Sequence, residues 1–165
     1  MQSPLLVSIL GLTPQALLIL YAPLGLVGAP TTLRRVIVPG LFLATVVTLT
    51  RSVSFLFGWH IPIFLATYLI LARLFRFASL LGALAAVSLS FVLVVLADVL
   101  LTAPMLGLLG LEYEDVINNP WLYIMFLWME SLFLVVAALL VKWKGFVLLP
   151  IAEIRMSPGR RRSSR

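Results

Sequence analysis

The chain has 165 residues, 62% of them hydrophobic, and it carries a formal net charge of +6 at pH 7. It contains no cysteine, which excludes disulfides, thiolate metal sites and a cysteine nucleophile. Its mean hydropathy is +1.16, and its apolar runs are continuous and long enough for the roughly 20 residues with which a helix crosses a bilayer. We therefore expect an all-α, polytopic membrane helix bundle, because the strands of a membrane barrel would alternate apolar and polar residues.

Five apolar segments are predicted to form a transmembrane domain over residues 1–150. Short loops that contain glycine, proline and asparagine separate the segments, as turns require. Residues 151–165 form a polar, basic tail that we expect to be disordered. The five segments are about Pro4–Gly28, Val36–Phe57, Ile61–Phe75, Ala78–Pro104 and Trp121–Val141.

The first segment is interrupted by Thr13, Pro14 and Gln15. This pattern is typical of a helix start, with threonine as the N-cap and proline at the first helical position. A helix from Gln15 to Gly28 would be short for a span, and residues 4–12 would then lie in the interface or enter the membrane as a separate half-helix. Whether the first segment spans the membrane fully is left open by the sequence.

Eleven of the twelve lysines and arginines fall in loops or the tail that five crossings would place on one side. Short cytoplasmic loops carry an excess of such residues, which predicts a bacterial plasma-membrane protein with its N-terminus outside and its tail in the cytoplasm. Anionic lipid headgroups are the nearest partners of these charges, so we expect contact with the lipid bilayer and none with nucleic acid. The eleven residues are Arg34, Arg35, Arg73, Arg76, Lys142, Lys144, Arg155, Arg160, Arg161, Arg162 and Arg165.

Four ionisable residues lie inside or at the edge of the apolar segments: Arg51, Asp98, Glu130 and His60. A charge inside the membrane costs about 2.5–3.5 kcal/mol on insertion scales and is a functional candidate for that reason. Arg51 and Asp98 each lie about six residues from the outer end of their segments, which is ~9 Å of helix. Glu130 lies ~14 Å below the outer face, within reach of a long arginine side chain. We therefore predict one polar cluster of these four residues, open toward the outer side.

The surroundings of Asp98 favour its burial in the bundle. A mostly small stripe recurs every four residues along the fourth segment, which lets another helix approach closely. Three uses of the cluster remain open: a buried ion pair that determines helix register, a ligand or signal site, and a proton or ion path. The stripe consists of Gly82, Ala86, Ser90, Val94, Asp98 and Thr102.

No catalytic motif is present: there is no nucleophile elbow, phosphate-binding glycine loop, zinc motif or pair of intramembrane aspartates. We therefore expect no enzymatic activity and no cofactor. His60 has no second histidine, cysteine or close carboxylate pair beside it, so it is interpreted as an interfacial residue and not as a metal ligand.

Short stretches across the chain carry a family resemblance. They are LTPQALL and VG at residues 12–18 and 27–28, LRR, TR and FGWH at residues 33–35, 50–51 and 57–60, and LE and NPW at residues 111–112 and 119–121. Together they resemble the membrane sensor region of Gram-positive receptor histidine kinases of the GHKL class, the peptide-pheromone receptor type. Those receptors continue into a dimerisation helix and an ATP-binding domain, and these 165 residues include neither. The resemblance therefore implies a sensing role, with Arg51 and residues 58–60 as the best-matching stretch, and no kinase activity.

We interpret the chain as a non-catalytic, sensor-like or regulatory membrane module that binds a small ligand, a peptide or a membrane partner. A membrane or cytoplasmic protein partner is expected, and a homo-oligomer is left open. The alternative function is a substrate-binding or permease component of a small-solute transporter, in which the same polar cluster would be a substrate site or an ion path. A structural assembly factor is a third interpretation.

Overall fold

Helices make up all the regular secondary structure in residues 4–52 and 59–151, which the computed structural model describes. The side chains of residues 4, 5, 51, 52 and 60 lie outside this description, as do residues 152–165, which contain most of the predicted tail. The outer end of the second predicted segment, at Phe57, also lies outside the described residues.

Nine α-helices follow one another along the described chain, and two π-helical turns join helices end to end. The turn Ser8–Leu12 joins α1 to α2, and the turn Asp98–Thr102 joins α5 to α6. The helices are α1 (Pro4–Val7), α2 (Thr13–Leu26), α3 (Leu33–Ser52), α4 (His60–Leu74), α5 (Leu80–Ala97), α6 (Ala103–Leu109), α7 (Tyr113–Asn118), α8 (Pro120–Glu130) and α9 (Leu132–Lys144).

Three helical stretches of the described residues are long and apolar enough to cross a membrane: Ser8–Leu26, Leu33–Thr50 and Leu80–Leu109. A fourth span is possible if two helices that meet at a bend of 41° are counted as one: Pro120–Glu130 and Leu132–Lys144. Ile61–Leu74 is apolar but shorter. The prediction of an all-helical membrane protein is therefore confirmed at the level of several apolar, span-length helices.

Helix α2 lies at the centre of the bundle and packs against α3, α5 and α9. Most of its side chains are buried, and Leu20 and Leu24 are completely covered. Apolar association contributes little between helices in lipid, where close packing must hold them together instead. The core around α2 includes Leu43 of α3, Tyr68 of α4 and Leu134 of α9.

Three glycines allow the backbones near α2 to approach closely. A Cβ atom at Gly40 of α3 would lie 2.5 Å from Leu17 Cδ2 of α2, and one at Gly25 of α2 would collide with Val141 of α9. A Cβ at Gly11, in the first π turn, would lie 2.6 Å from Leu127 Cδ1 of α8. A side chain at any of these positions would therefore force its neighbour to move, most severely at Gly25, where the branched Val141 would be met by three of its atoms.

The chain after α9 folds back over the end of α2. Gly145 ends α9 in the left-handed conformation (φ 59°), which glycine adopts without a steric penalty. The N–H groups of Leu148 and Leu149 then donate to the carbonyl of Leu26, at 2.8 and 3.1 Å. The end of α9 is thereby held beside the end of α2.

The helix boundaries differ from the prediction at both prolines that follow a π turn. Leu12 and Thr13 both have right-handed helical backbone angles, and the Thr13 hydroxyl donates to the Ser8 carbonyl. The predicted helix start at Thr13 is therefore wrong, because the backbone is already helical before it. Likewise the fourth segment does not end at Pro104 but continues to Leu109. A proline donates no N–H to the residue four positions earlier, and at both places a π turn precedes the proline without ending the helix.

The Gly25 contact predicts opposite effects for two glycine-to-alanine changes. Gly25→Ala should destabilise the bundle by about 1–3 kcal/mol, because the methyl group overpacks against Val141. A Cβ at Gly107 meets nothing within 4 Å, so Gly107→Ala should stabilise by up to about 1 kcal/mol through helix propensity. Thermal unfolding in detergent, followed by circular dichroism, measures both. Shifts of the same sign would contradict the packing described here.

Candidate ligand cavity

A cavity of about 220 Å³ lies between α2, α3, α4 and α5, with Glu130 of α8 in its wall. Its lining is mostly aliphatic and aromatic, and the polar side chains in it are Gln15, Ser90 and Glu130. The apolar lining residues are Leu12, Ala16, Ile19, Ala44, Val47, Ile61, Phe64, Phe91 and Val94.

The polar side of the cavity is a carboxamide–carboxylate pair. Gln15 Nε2 donates a hydrogen bond to Glu130 Oε2 at 3.2 Å, and the Gln15 side chain is only 8% exposed. Ser90 is buried as well, but its hydroxyl donates to the Val87 carbonyl at 2.7 Å and so satisfies its donor within its own helix. The Gln15–Glu130 pair is therefore the polar group with which a molecule in the cavity could form hydrogen bonds.

Glu130 is placed by the bend between α8 and α9. It is the last residue of α8, and Ser131 follows it before α9 begins at Leu132. The buried Ser131 hydroxyl donates to the Leu127 carbonyl at 2.8 Å, a serine back-bond of the kind that bends helices. The 41° bend therefore has a local cause one residue from Glu130.

Close to Glu130, α8 is also attached to the first π turn through a proline defect. The carbonyl of Leu10 would accept from residue 14 in a regular helix, but Pro14 has no N–H to donate. The indole Nε1 of Trp128 donates to this carbonyl instead, at 3.0 Å. Trp128 thus replaces the missing backbone donor, which matters in lipid because no water is there to do so.

Ser8 also connects the first π turn to α3. Its hydroxyl lies 3.1 Å from the hydroxyl of Thr48, and Thr48 donates in turn to the Ala44 carbonyl at 2.8 Å. Thr13 donates from its hydroxyl to the Ser8 carbonyl at 2.8 Å. These short polar side chains therefore connect the first π turn to α3, next to the cavity-lining residues Leu12 and Val47.

Of the four residues predicted to form one cluster, the structure places Glu130 in the cavity and leaves Asp98 exposed, away from the cavity lining. A four-residue repeat drifts around a helix by about 40° per step, so Asp98 is turned by about 160° from Gly82. The predicted burial of Asp98 along the small stripe fails for this reason. The side chains of Arg51 and His60 lie outside the described residues, so their place in the cluster stays a prediction.

Gln15 was missed as a site residue. It was interpreted only as part of a helix-start pattern, although a glutamine inside a continuous apolar segment is itself a signal that a polar partner is needed. Its partner Glu130 lies 115 positions away in the sequence, and no local pattern connects the two.

The described residues contain no group of three or more histidine, cysteine, aspartate or glutamate side chains that could hold a metal ion. Comparison with protein-family models, with curated proteins and with solved structures finds no match to this chain.

The Trp128 hydrogen bond predicts a dependence on Pro14. Trp128→Phe should destabilise by about 1–3 kcal/mol, because it leaves the Leu10 carbonyl unpaired. Pro14→Ala restores a backbone N–H that can donate to Leu10. In the Pro14→Ala variant, Trp128→Phe should therefore reduce the free energy of unfolding by less. Trp143→Phe, on the exposed end of α9, serves as the control. Thermal unfolding measures the loss of stability caused by Trp128→Phe in the protein with Pro14 and in the Pro14→Ala variant. An equal loss in both would show that Trp128 does not stabilise the protein through this hydrogen bond.

Proposed function

We propose that this chain is a non-catalytic, multi-pass protein of the plasma membrane that binds a small ligand in the four-helix cavity and acts as a sensor-like or regulatory module. One observation supports this most: an apolar cavity of about 220 Å³ has a single carboxamide–carboxylate pair in its wall. Apolar walls with a few convergent polar groups are the usual make-up of small-molecule sites.

The cavity volume limits the ligand. A cavity of about 150 Å³ binds benzene, whereas sites for drug-sized molecules measure about 300–1,000 Å³. A volume of about 220 Å³ therefore suits a molecule with one substituted ring, or one side chain of a peptide that docks from outside. Phe64 and Phe91 in the lining would pack against such a ring.

The bend at Ser131 offers a way to transmit binding. A ligand shifts a conformational equilibrium only if it binds one state better than the other. Glu130 ends α8 at the bend, so a ligand that hydrogen-bonds to Glu130 would favour one angle between α8 and α9. The basic end of α9 and the segment that follows it would then carry the change to the cytoplasmic side.

We further propose that all five apolar segments cross the bilayer, with the N-terminus outside and the C-terminus inside. The contact of Leu148 and Leu149 with Leu26 supports this orientation, because it holds Lys142 and Lys144 at the same end of the bundle as the loop that leads to Arg34. In membrane proteins, the end of the bundle that carries more basic residues is usually the cytoplasmic end.

The resemblance to the sensor region of peptide-pheromone receptor kinases agrees with a sensing role. The proposal needs a protein partner to carry the signal further, in the membrane or the cytoplasm. A second copy of the chain remains a candidate for that partner.

Four one-ring probes test the cavity: toluene, benzyl alcohol, benzylamine and benzoate. A probe that binds the folded protein at 100 times its Kd should stabilise it by about 2.7 kcal/mol. We expect at least one of the four to raise the Tm of the purified protein. Ala44→Leu, which fills the cavity, should abolish that rise, and Ala66→Leu on an exposed face of α4 should leave it. No rise with any probe, or a rise that persists in Ala44→Leu, would contradict the proposed site.

Arg51 gives a second test. It is the residue four positions after Val47, which lines the cavity, whereas Arg34 is exposed near the start of α3. If Arg51 belongs to the polar cluster, Arg51→Ala should weaken the probe-induced rise in Tm more than Arg34→Ala does. Equal effects of the two changes would remove Arg51 from the proposed site.

The alternative function, a component of a small-solute transporter, has one observation in its favour. Transporter sites are often built where a membrane helix is broken, and Glu130 lies at the break between α8 and α9. Uptake of the best-binding probe by proteoliposomes that contain only this protein would favour transport. Binding without uptake would favour the sensor.

A further inference from the structure

A second and much smaller cavity also has Glu130 in its wall. It has a volume of about 10 Å³, and its lining residues come from the second π turn, α6, α7 and α8. Glu130 thus lines both this space, which we call the Thr102 cavity, and the ligand cavity. The other lining residues of the Thr102 cavity are Thr102, Leu106, Tyr113, Val116, Tyr123, Phe126 and Leu127.

The hydroxyl of Thr102 is buried without a hydrogen-bond partner among the described residues, and the residue is only 3% exposed. A threonine within a helix commonly donates to a carbonyl of the preceding turn, as Thr45 and Thr48 of α3 do at 2.9 and 2.8 Å. Thr102 makes no such bond. A buried hydroxyl left unpaired reduces stability, so this one needs a partner from the cavity that it lines.

The Thr102 cavity has the size and the chemistry to hold one water molecule. A buried water needs roughly 10–15 Å³ and two to four polar partners, so a volume of about 10 Å³ admits one water and nothing larger. The Thr102 hydroxyl can donate or accept, and the Glu130 carboxylate accepts at about four sites. Neither the hydrogen bond from Gln15 nor one from Arg51 would therefore prevent a further bond from water.

We propose that one water molecule occupies the Thr102 cavity and bridges the Thr102 hydroxyl to the Glu130 carboxylate. Glu130 then accepts hydrogen bonds from two sides, from Gln15 in the ligand cavity and from this water in the Thr102 cavity. Thr102 is therefore a positioning residue for Glu130, although it does not line the ligand cavity. The water site follows from the small cavity and the buried hydroxyl alone, whereas the effect on ligand binding rests on the proposed function.

The sign of a Tm shift tests the water site. Thr102→Val keeps the shape of the side chain but removes a partner of the water, so it should lower the Tm by about 2–4 °C. Tyr68→Phe is the matched control, because the Tyr68 hydroxyl is also buried without a partner among the described residues and lines neither cavity. Removal of an unpaired hydroxyl should raise the Tm or leave it unchanged.

A higher Tm in Thr102→Val would show that its hydroxyl is unpaired, and the water site would be overturned. A crystal structure that resolves ordered water should show density for one molecule within hydrogen-bond distance of Thr102 Oγ1 and of a Glu130 carboxylate oxygen. Lack of this density would also overturn the site. A Tm that is higher in sodium chloride than in choline chloride, with the difference lost in Thr102→Val, would assign the cavity to a cation instead.

The affinities of two probes test the positioning role. Toluene can only pack in the ligand cavity, whereas benzyl alcohol can also hydrogen-bond to Gln15 and Glu130. Thr102→Val should raise the Kd of benzyl alcohol by about three- to tenfold, the contribution of one hydrogen bond, and leave the Kd of toluene unchanged. Leu106→Val, which alters an apolar residue of the Thr102 cavity, should leave the ratio of the two Kd values unchanged.

The two parts of the proposal fail in different ways. An equal loss of affinity for both probes in Thr102→Val would show a structural effect only and overturn the positioning role. If no probe binds the protein, the proposed function and the positioning role are both wrong, and the Tm shifts of Thr102→Val and Tyr68→Phe still decide the water site.

Discussion

Close approach of helices to α2 is the interaction on which the rest of this bundle depends. In lipid, helices gain little from hiding apolar surface from each other, and van der Waals packing must supply the association. Gly40 lets α3 lie against Leu17 of α2, and Gly25 of α2 lets α9 lie close to the end of the same helix. With its neighbours held at these points, α2 is buried on most sides. The cavity lies near Gln15, where the surrounding helices do not close completely.

Prolines decide how the parts near the cavity are arranged. Pro14 and Pro104 each follow a π turn, and α8 contacts both of these turns. At the first turn, the carbonyl that Pro14 leaves without a donor accepts from Trp128, so a backbone defect in one helix becomes an attachment point for another. Because α8 is held there and bends at Ser131, the carboxylate of Glu130 reaches the amide of Gln15. The pairing of Gln15 with Glu130 thus depends on the hydrogen bond from Trp128 to the Leu10 carbonyl and on the bend at Ser131.

The two acidic residues within the apolar region have opposite environments. Glu130 accepts a hydrogen bond from a buried side chain, whereas Asp98 is exposed among valines and leucines. A carboxylate that is hydrogen-bonded inside the bundle suits an internal polar site. The two carboxylates therefore differ in what the fold provides for them: a hydrogen-bond donor for Glu130 and an exposed position for Asp98.

The sequence by itself determined the class of protein and the approximate segments, because hydropathy and the spacing of loops depend only on local composition. It also identified Glu130 as a polar residue inside an apolar segment. It did not predict that the helices continue through Pro14 and Pro104, or that the last segment bends at Ser131. Only the tertiary structure decided these features, since each depends on a hydrogen bond or a packing contact that forms when the chain is folded. The pairing of Gln15 with Glu130 and the exposed position of Asp98 have the same cause. Both depend on how each helix is rotated and which helices it packs against, and neither can be read from the sequence of a single segment.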